Sequence, residues 1–299
     1  MLEQDVLEKY RYAGKIAAKV RDEMKNTIKE GMYLIDICEK AEHLIVSMGG
    51  QPAFPCNISI NDVAAHYTSP PNDETTIPEG SLVKIDIGVH VDGYIADTST
   101  TVCFAPELEN MVQTSEEALD IAIKTIRKGI FTSDLGLEIQ RAIERRGYKP
   151  ISNLTGHQIG RYMIHTGKSL PNVSHVSFSK IQSGEIYAIE PFVTFRDAAG
   201  RVEEGSQSYI FRLIKRKPVK ELEIKNFVEF IEKNFKTLPF AERWLKAHSD
   251  SYDYRLLFNS LLNLKFVMSY PIFVEASHKP VAQSEHTVYI DDNEAIVLT

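Results

Sequence analysis

Cysteine is scarce in this 299-residue chain: there are three, Cys38, Cys56 and Cys103. Their odd number and the lack of any CxxC or zinc-ribbon spacing exclude a disulfide scaffold and a sulfur-ligated zinc module, so they read as reduced residues in a reducing compartment. Long apolar runs are missing too. No stretch reaches the roughly 18 consecutive apolar residues of a membrane span. The start, Met1-Leu-Glu-Gln-Asp-Val-Leu-Glu-Lys-Tyr10, mixes charges among its apolar residues and lacks the uninterrupted core of a signal peptide. A cytoplasmic location is the expectation. Positive charge is in deficit, with 34 Lys and Arg against 41 Asp and Glu and a net charge of −7. No overall cationic field draws phosphate backbones, which makes nucleic acid a poor default partner. Glycine (16) and proline (13) are too few for a collagen-like or low-complexity chain. What remains is the composition of a globular protein, long enough to bury about 75% of its unfolded surface without metal or disulfide staples.

Apolar residues Val6, Leu7, Tyr10, Ala13, Ala17, Val20 and Met24 recur at three- and four-residue steps, which predicts an amphipathic helix from Asp5 to about Ile28, stopped by Gly31. A second helix is predicted from Tyr33 to Ser47, before the Gly49-Gly50-Gln51-Pro52 breaker. Alternating segments follow at Asn57 to Asn61 and Leu82 to Val89. Helical patterns return at Ser115 to Lys128 and Asp134 to Arg146, then strands near Ile151 and Ile186. Two helices then strands, twice over, suggest two similar halves. From Leu213 to about Lys265 the chain is rich in Lys, Glu, Leu and Phe, with helical periodicity at Phe227, Phe230, Ile231 and Phe235 and again from Tyr252 to Leu264. That predicts an inserted helical subdomain over 213–265 in a main domain of 1–212 plus 266–299. Its interleaved Lys and Glu read as a solvated face with i,i+4 pairs. Strands resume at Phe266 to Glu275 and His286 to Ile290.

The chemistry starts at Val83-Lys-Ile-Asp86-Ile-Gly88, Asp92-Gly93 and Asp97-Thr-Ser99. Asp-Gly between alternating runs is a strong hairpin signal. With the turn centred on Asp92-Gly93, opposed numbers add to 185, so Asp86 faces Ser99 and Gly88 faces Asp97. Asp86 and Asp97 then share one face as diagonal neighbours, about 7–8 Å apart along the backbone. An odd-length loop would shift that register. Two side-by-side anions on apolar strands repel, and one shared cation, or two spaced ~3.5–4 Å, removes the conflict. Three further residues are candidates for the set: His157 between glycines in Leu154-Thr-Gly-His157-Gln-Ile-Gly160, Glu190 closing the alternating Ile186-Tyr-Ala-Ile-Glu190 before Pro191, and Glu285 at the start of a β-rich run.

In combination these motifs resemble a known family. Asp86-Ile-Gly88, Asp97, Thr155-Gly-His157-Gln-Ile-Gly160, Ile189-Glu190-Pro191 and Gln283-Ser-Glu285-His-Thr287 are similar to the five-ligand signature of the pita-bread metallopeptidases. Ala64-Ala-His66-Tyr-Thr68 and Ile159-Gly-Arg-Tyr-Met-Ile-His165-Thr-Gly-Lys168 resemble, more narrowly, the type II methionine aminopeptidases of archaea and eukaryotes. The resemblance runs from about residue 5 onward. The long separation of Glu190 and Glu285 and the 213–265 segment match the insertion of type II. It implies an α+β pita-bread (creatinase/aminopeptidase) fold: two pseudo-symmetric α-α-β halves around antiparallel sheet, with a helical insertion.

The resemblance further implies two divalent metal ions, Asp97 and Glu285 bridging them, Asp86 chelating one and His157 with Glu190 holding the other. Oxygen-rich ligation suits Mn, Fe or Co, with Zn also a candidate. A water bridging the ions, ionised near neutral pH, would attack the first peptide carbonyl, and Glu190 could take its proton. His66 is implied at the scissile nitrogen and His165 at the carbonyl oxygen. Phe54, Ile164 and Tyr270 are implied as walls of the methionine pocket. His43, His90, His175, His248, His278 and His286 receive no role. Eukaryotic members carry a pocket histidine after the Glu190 strand, where this chain reads Gly205-Ser-Gln-Ser-Tyr209. The implied substrate is the initiator methionine of nascent polypeptides with a small second residue. The implied partners are those N-termini and a transient ribosome contact, with neither membrane nor specific nucleic acid, and a monomer is expected. Two alternatives stand beside it. Prolidases and X-Pro aminopeptidases share the ligands but place a long domain before them, whereas Asp86 comes early here. Non-catalytic RNA- or ribosome-binding relatives lose ligands, and all five are present.

Overall fold

The computed structural model describes residues 2–214, 220–248, 254–292 and 294–299. The chain opens with helices α1 (Gln4–Thr27) and α2 (Leu34–Ser47) and strands β1 (Gln51–Pro52), β2 (Asn57–Ile60), β3 (Val63–Ala65), β4 (Leu82–Val91) and β5 (Tyr94–Cys103). The pattern then repeats: α3 (Glu109–Thr125), α4 (Thr132–Arg145), β6 (Tyr148–Pro150), β7 (Thr155–Ile159), β8 (Ser169–Pro171), β9 (Ile186–Ile189), β10 (Phe192–Phe195) and the long β11 (Val202–Leu213). A helical segment follows with α5 (Leu222–Phe235), β12 (Phe240–Ala241), a 3-10 stretch at Glu242–His248 and α6 (Tyr254–Asn263). Strands β13 (Val267–Glu275), β14 (Val281–Gln283), β15 (His286–Ile290) and β16 (Ala295–Val297) complete it.

The periodicity explains the layering. The buried stripe of α1, Tyr10, Ala13, Ile16, Ala17, Val20 and Met24, faces β4 and β5, and removing that apolar area from water drives the packing. The buried stripe of α3 (Met111, Val112, Ser115, Ala118, Leu119, Ala122) lies against α4, β10 and β14, while α4 covers β6 and β8. These are the two α-α-β halves the sequence predicted. All strand pairing in the described residues is antiparallel, in four sheets, and the bridge between Ser99 and Glu285 links the β5 and β15 regions. Lys84 is among the largest fully buried side chains. Its ammonium donates to the carbonyls of Asn61 (3.0 Å) and Val281 (2.8 Å), which ties β4 to the β2–β3 turn and to β14.

Several predicted boundaries move. The first helix ends at Thr27 because Ile28 is extended (ψ 148°), and Gly31 (φ 80°) serves the next turn. The third helix begins at Glu109, six residues before the predicted Ser115, because a 3-10 turn at Pro106–Leu108 leads straight into it; it stops at Thr125 and not Lys128. The strand at Ile186–Ile189 does not alternate: all four residues are buried, with neighbours on both sides. In the helical segment α5, the 3-10 stretch and α6 share an apolar cluster of Ile224, Phe227, Ile231, Phe240, Leu245, Phe258 and Leu261. Of the 213–265 prediction, residues 215–219 and 249–253 lie outside the described residues, including the expected helix start at Tyr252.

Candidate metal centre

The β4–β5 hairpin delivers two acids. Asp92 (φ 53°) and Gly93 (φ 87°) make the turn that its strand twist requires. The ladder runs from Val91 opposite Tyr94 to Leu82 opposite Cys103, in the predicted register. Asp86 therefore faces Ser99 and Gly88 faces Asp97, while Asn57 of β2 pairs with Asp86 from the other side. Gly88 has a second reason to be glycine. A Cβ there would sit 2.2 Å from the Phe54 ring, so its absence lets that aromatic lie against the strand.

The end of the chain delivers the next acid. Ser99 and Glu285 exchange backbone hydrogen bonds at 3.4 and 3.2 Å. The Thr98 hydroxyl donates to the Glu285 carbonyl (2.8 Å), and Thr287 Oγ1 both accepts from the Asp97 N–H and donates to the Asp97 carbonyl, each at 2.7 Å. These buried locks hold Glu285 beside Asp97. Strand β7 carries His157 opposite Ala188 of β9, and Glu190 follows one residue beyond the end of β9.

His157 Nδ1 lies 2.8 Å from the Ile164 carbonyl. With Nδ1–H donating there, Nε2 keeps a lone pair for a cation. Nε2 stands 3.4 Å from Glu190 Oε1 and 3.7 Å from Asp97 Oδ2. One donor atom each from Asp97, His157 and Glu285 lie within 4.8 Å of one another. Gln283 donates to Glu285 Oε2 at 3.3 Å, but Asp86 Oδ1 and Asp97 Oδ1 are buried without any hydrogen-bond partner.

This clustering is electrostatically unfavourable as protein alone. Burial pushes the Asp86 carboxyl up to about 7. Burial, then the charges of Asp86 and Glu190, push Asp97 well above the usual carboxylate range. Glu190 rises through burial and the Asp86 charge, and Glu285 through burial and the charges of Asp97, Glu190 and Asp86. Burial, followed by the neighbouring His165, holds His157 neutral. Four converging acids, two orphaned oxygens and a neutral imidazole aimed among them fit divalent cations: hard oxygen donors dominate, and cation charge would reverse each of the penalties.

All ten residues singled out in the sequence line one cavity: Asp86, Asp97, His157, Glu190 and Glu285, then His66 and His165, then Phe54, Ile164 and Tyr270. None of His43, His90, His175, His278 and His286 does, and the His248 side chain falls outside what is described. His66 holds a left-handed backbone (φ 67°), a conformation rare outside glycine and recurrent at functional sites. Its Nδ1 lies 3.2 Å from the Pro271 carbonyl, and its ring packs on Tyr270 and Phe273 at 5.7 and 4.7 Å. The His165 ring meets that of His157 edge-on at 4.2 Å. Burial lowers His66 to about 4, and burial followed by the Arg212 charge lowers His165, so both are neutral at pH 7.

Sequence reasoning missed four other lining residues: Asn57, Ala65, Ile210 and Pro239. Asn57 was recoverable from the pairing of β2 with β4 once the register of β4 was known. Pro239, between α5 and β12, left no signal, since nothing local says that the helical segment reaches the cavity.

Comparison with known proteins agrees with this geometry. The family model for metallopeptidase family M24 matches residues 8–243. A methionine aminopeptidase of Methanocaldococcus jannaschii is 43% identical over 299 residues, covering 100% of both chains. One from Methanothermobacter thermautotrophicus is 39% identical over 297 residues, 98% of this chain and 99% of that one. Among solved structures, a thermophilic Arx1 matches with a TM-score of 0.85 at 18% identity, over 100% of this chain and 91% of that one. A methionine aminopeptidase of Thermotoga maritima matches at 0.72 with 22% identity, over 100% and 98%. The prolidase of Pyrococcus furiosus matches at 0.63 with 17% identity over 99% of this chain and 64% of its own. These structural likenesses carry the pita-bread fold, and the full-length relatives and the family match carry the rest: the chain belongs to metallopeptidase family M24.

Proposed function

We propose that this protein is a methionine aminopeptidase that removes the initiator methionine from nascent polypeptides whose second residue is small. One observation carries the reading: four acids, an imidazole, two further neutral histidines and an apolar wall converge on one cavity from segments that span more than two hundred positions. The names of the full-length archaeal relatives support it.

In this reading Asp86, Asp97, His157, Glu190 and Glu285 would hold two divalent cations; the donor set favours Mn, Fe or Co, with Zn as a further candidate. Such cations supply Lewis acidity and lower the pKa of water. Glu190, whose Oε1 lies 3.4 Å from His157 Nε2 within the acid cluster, would be the group to take a proton from the attacking water, deprotonated once cation charge offsets its burial. Neutral His165 donates to the scissile carbonyl oxygen as it gains negative charge. Neutral His66 contacts the scissile nitrogen, and the proton that Glu190 took from water passes to that nitrogen as the C–N bond breaks and the amine leaves. Phe54, Ile164 and Tyr270, with Ile210 and Pro239, enclose the methionine side chain, whose transfer from water stabilises the complex by about 1.5–3 kcal/mol. The catalytic domain comprises 1–212 and 266–299, with 213–265 as an inserted subdomain whose Pro239 closes the pocket. A cytoplasmic monomer with a transient ribosome contact completes the proposal; failure to co-sediment with translating ribosomes would remove that contact.

The test is cleavage by the metal-loaded protein. Met-Ala-Ser is expected to lose its methionine while Ala-Pro-Ala stays intact. The reverse preference would replace this reading with an X-Pro peptidase, and tight RNA binding without cleavage would replace it with a non-catalytic role.

A further inference from the structure

Arg212 lies on β11, two residues beyond Ile210. The ladder with β13 is regular here, with Ile210 opposite Tyr270, Phe211 opposite Ser269 and Arg212 opposite Met268. Alternation puts Ile210 and Arg212 on one face and Phe211 on the other. Phe211 packs into the apolar cluster of the helical segment, whereas Ile210 and its partner Tyr270 line the cavity. Arg212 thus stands one step farther along that face, just beyond the residues that line the cavity. Its charge acts on both His165 and Tyr270, which places it near two residues of the site.

What sets Arg212 apart is how poorly it is satisfied. Its Nε is buried and has no acceptor. Its Nη2 meets the Met268 thioether at 3.2 Å, a weak acceptor. Among the described residues no carboxylate pairs with it. Arg21 pairs with Asp22 and Arg243 with Glu42. A part-buried guanidinium left without oxygen acceptors is unfavourable unless a ligand supplies them, and its planar fork matches a carboxylate or two carbonyls. The cavity takes the first residue of a peptide, so the chain that follows the scissile bond must leave past its rim.

We propose that Arg212 is a substrate-binding residue whose guanidinium takes carbonyl and carboxylate oxygens of the peptide just after the scissile bond. The proposal rests on the aminopeptidase reading and adds a subsite to it. The subsite recognises main-chain oxygen and not side-chain identity, which suits an enzyme that meets many different sequences.

The experiment compares Met-Ala-Ser with its C-terminal amide on the metal-loaded wild type, Arg212→Met and Arg212→Lys. Amidation is expected to raise KM about tenfold in the wild type, with kcat within about twofold. Arg212→Met is expected to raise KM for the free acid about tenfold and to lose the distinction between acid and amide, while Arg212→Lys keeps part of it. A wild type indifferent to amidation overturns the subsite whether or not the variants fold, and so does an undiminished preference for the acid in Arg212→Met. No cleavage of either peptide by the wild type would overturn the aminopeptidase reading and the subsite together; cleavage without carboxylate dependence overturns the subsite alone.

Discussion

At Glu42 a buried carboxylate meets three donors: the Arg243 guanidinium, the Trp244 indole N–H at 2.8 Å and the Cys56 amide at 3.1 Å. At Asp97 another buried carboxylate meets other acids and one neutral imidazole, and its Oδ1 has no hydrogen-bond donor. Burial raises Glu42 too, to about 7, and the neighbouring Cys38 adds to the rise, but there Arg243, Trp244 and Cys56 oppose it. Around Asp97 the nearest charges add to it. Burial alone therefore does not separate a structural acid from a functional one. The balance of donors does: a matched cluster holds two parts of the chain together, and an unmatched one waits for charge from outside.

The sharpest way to break that contrast is Asp97→Ala. It removes an acid that the proposed function makes a metal ligand, and both tight metal uptake by calorimetry and turnover of Met-Ala-Ser are expected to vanish while the protein stays folded; a variant that still binds two metal equivalents would end the assignment. His66→Ala probes the same cavity without touching the acids. Metal binding should persist and the rate fall about 10²–10⁴-fold, so unchanged kcat would strip His66 of its role. Glu42→Ala tests the other cluster. It leaves the Arg243 charge buried and unpaired, and urea unfolding should show a loss of about 3–5 kcal/mol, with cleavage retained at 25 °C. Loss of activity in folded protein would mean that the matched cluster is not merely structural.

The smallest effect is one of pH. In metal-free protein Asp86 titrates near 7 against an ordinary 3.8. A raised folded pKa contributes stability that is complete below about 4 and is lost as pH climbs through 7. Metal binding needs the deprotonated acids, so the gain in Tm on adding Mn should widen between pH 4 and 7.5. The difference between loaded and metal-free samples cancels the opposite contributions of His90 and His286, which burial lowers to about 4. A gain that is flat or shrinks over that range would show that the cluster is not protonated when empty.

Much of this was legible in the residues because it rests on short-range rules. The hairpin register follows from Asp92-Gly93 and period-two counting, and Asp86 and Asp97 came with it. Helices α1, α2 and α4 follow from apolar stripes. His157, Glu190 and Glu285 were different: each is an ordinary residue in its own segment, and only the family's ordered motifs joined them. The boundaries that failed did so where tertiary contact overrides local pattern. Glu109 to Gln113 is polar enough to read as loop, yet Met111 and Val112 are buried there. Ile186 to Ile189 is covered on both faces, so alternation carries no information. The partnership of Glu42 with Arg243 spans 201 positions and has no local signature.

The chain has one tryptophan, and it donates to Glu42 from the 3-10 stretch of the helical segment. Its emission is thus an optical gauge of a single junction. Partial release of that segment from α2 would shift the fluorescence before far-UV ellipticity changes, letting the inserted piece be watched separately from the body that carries the acids.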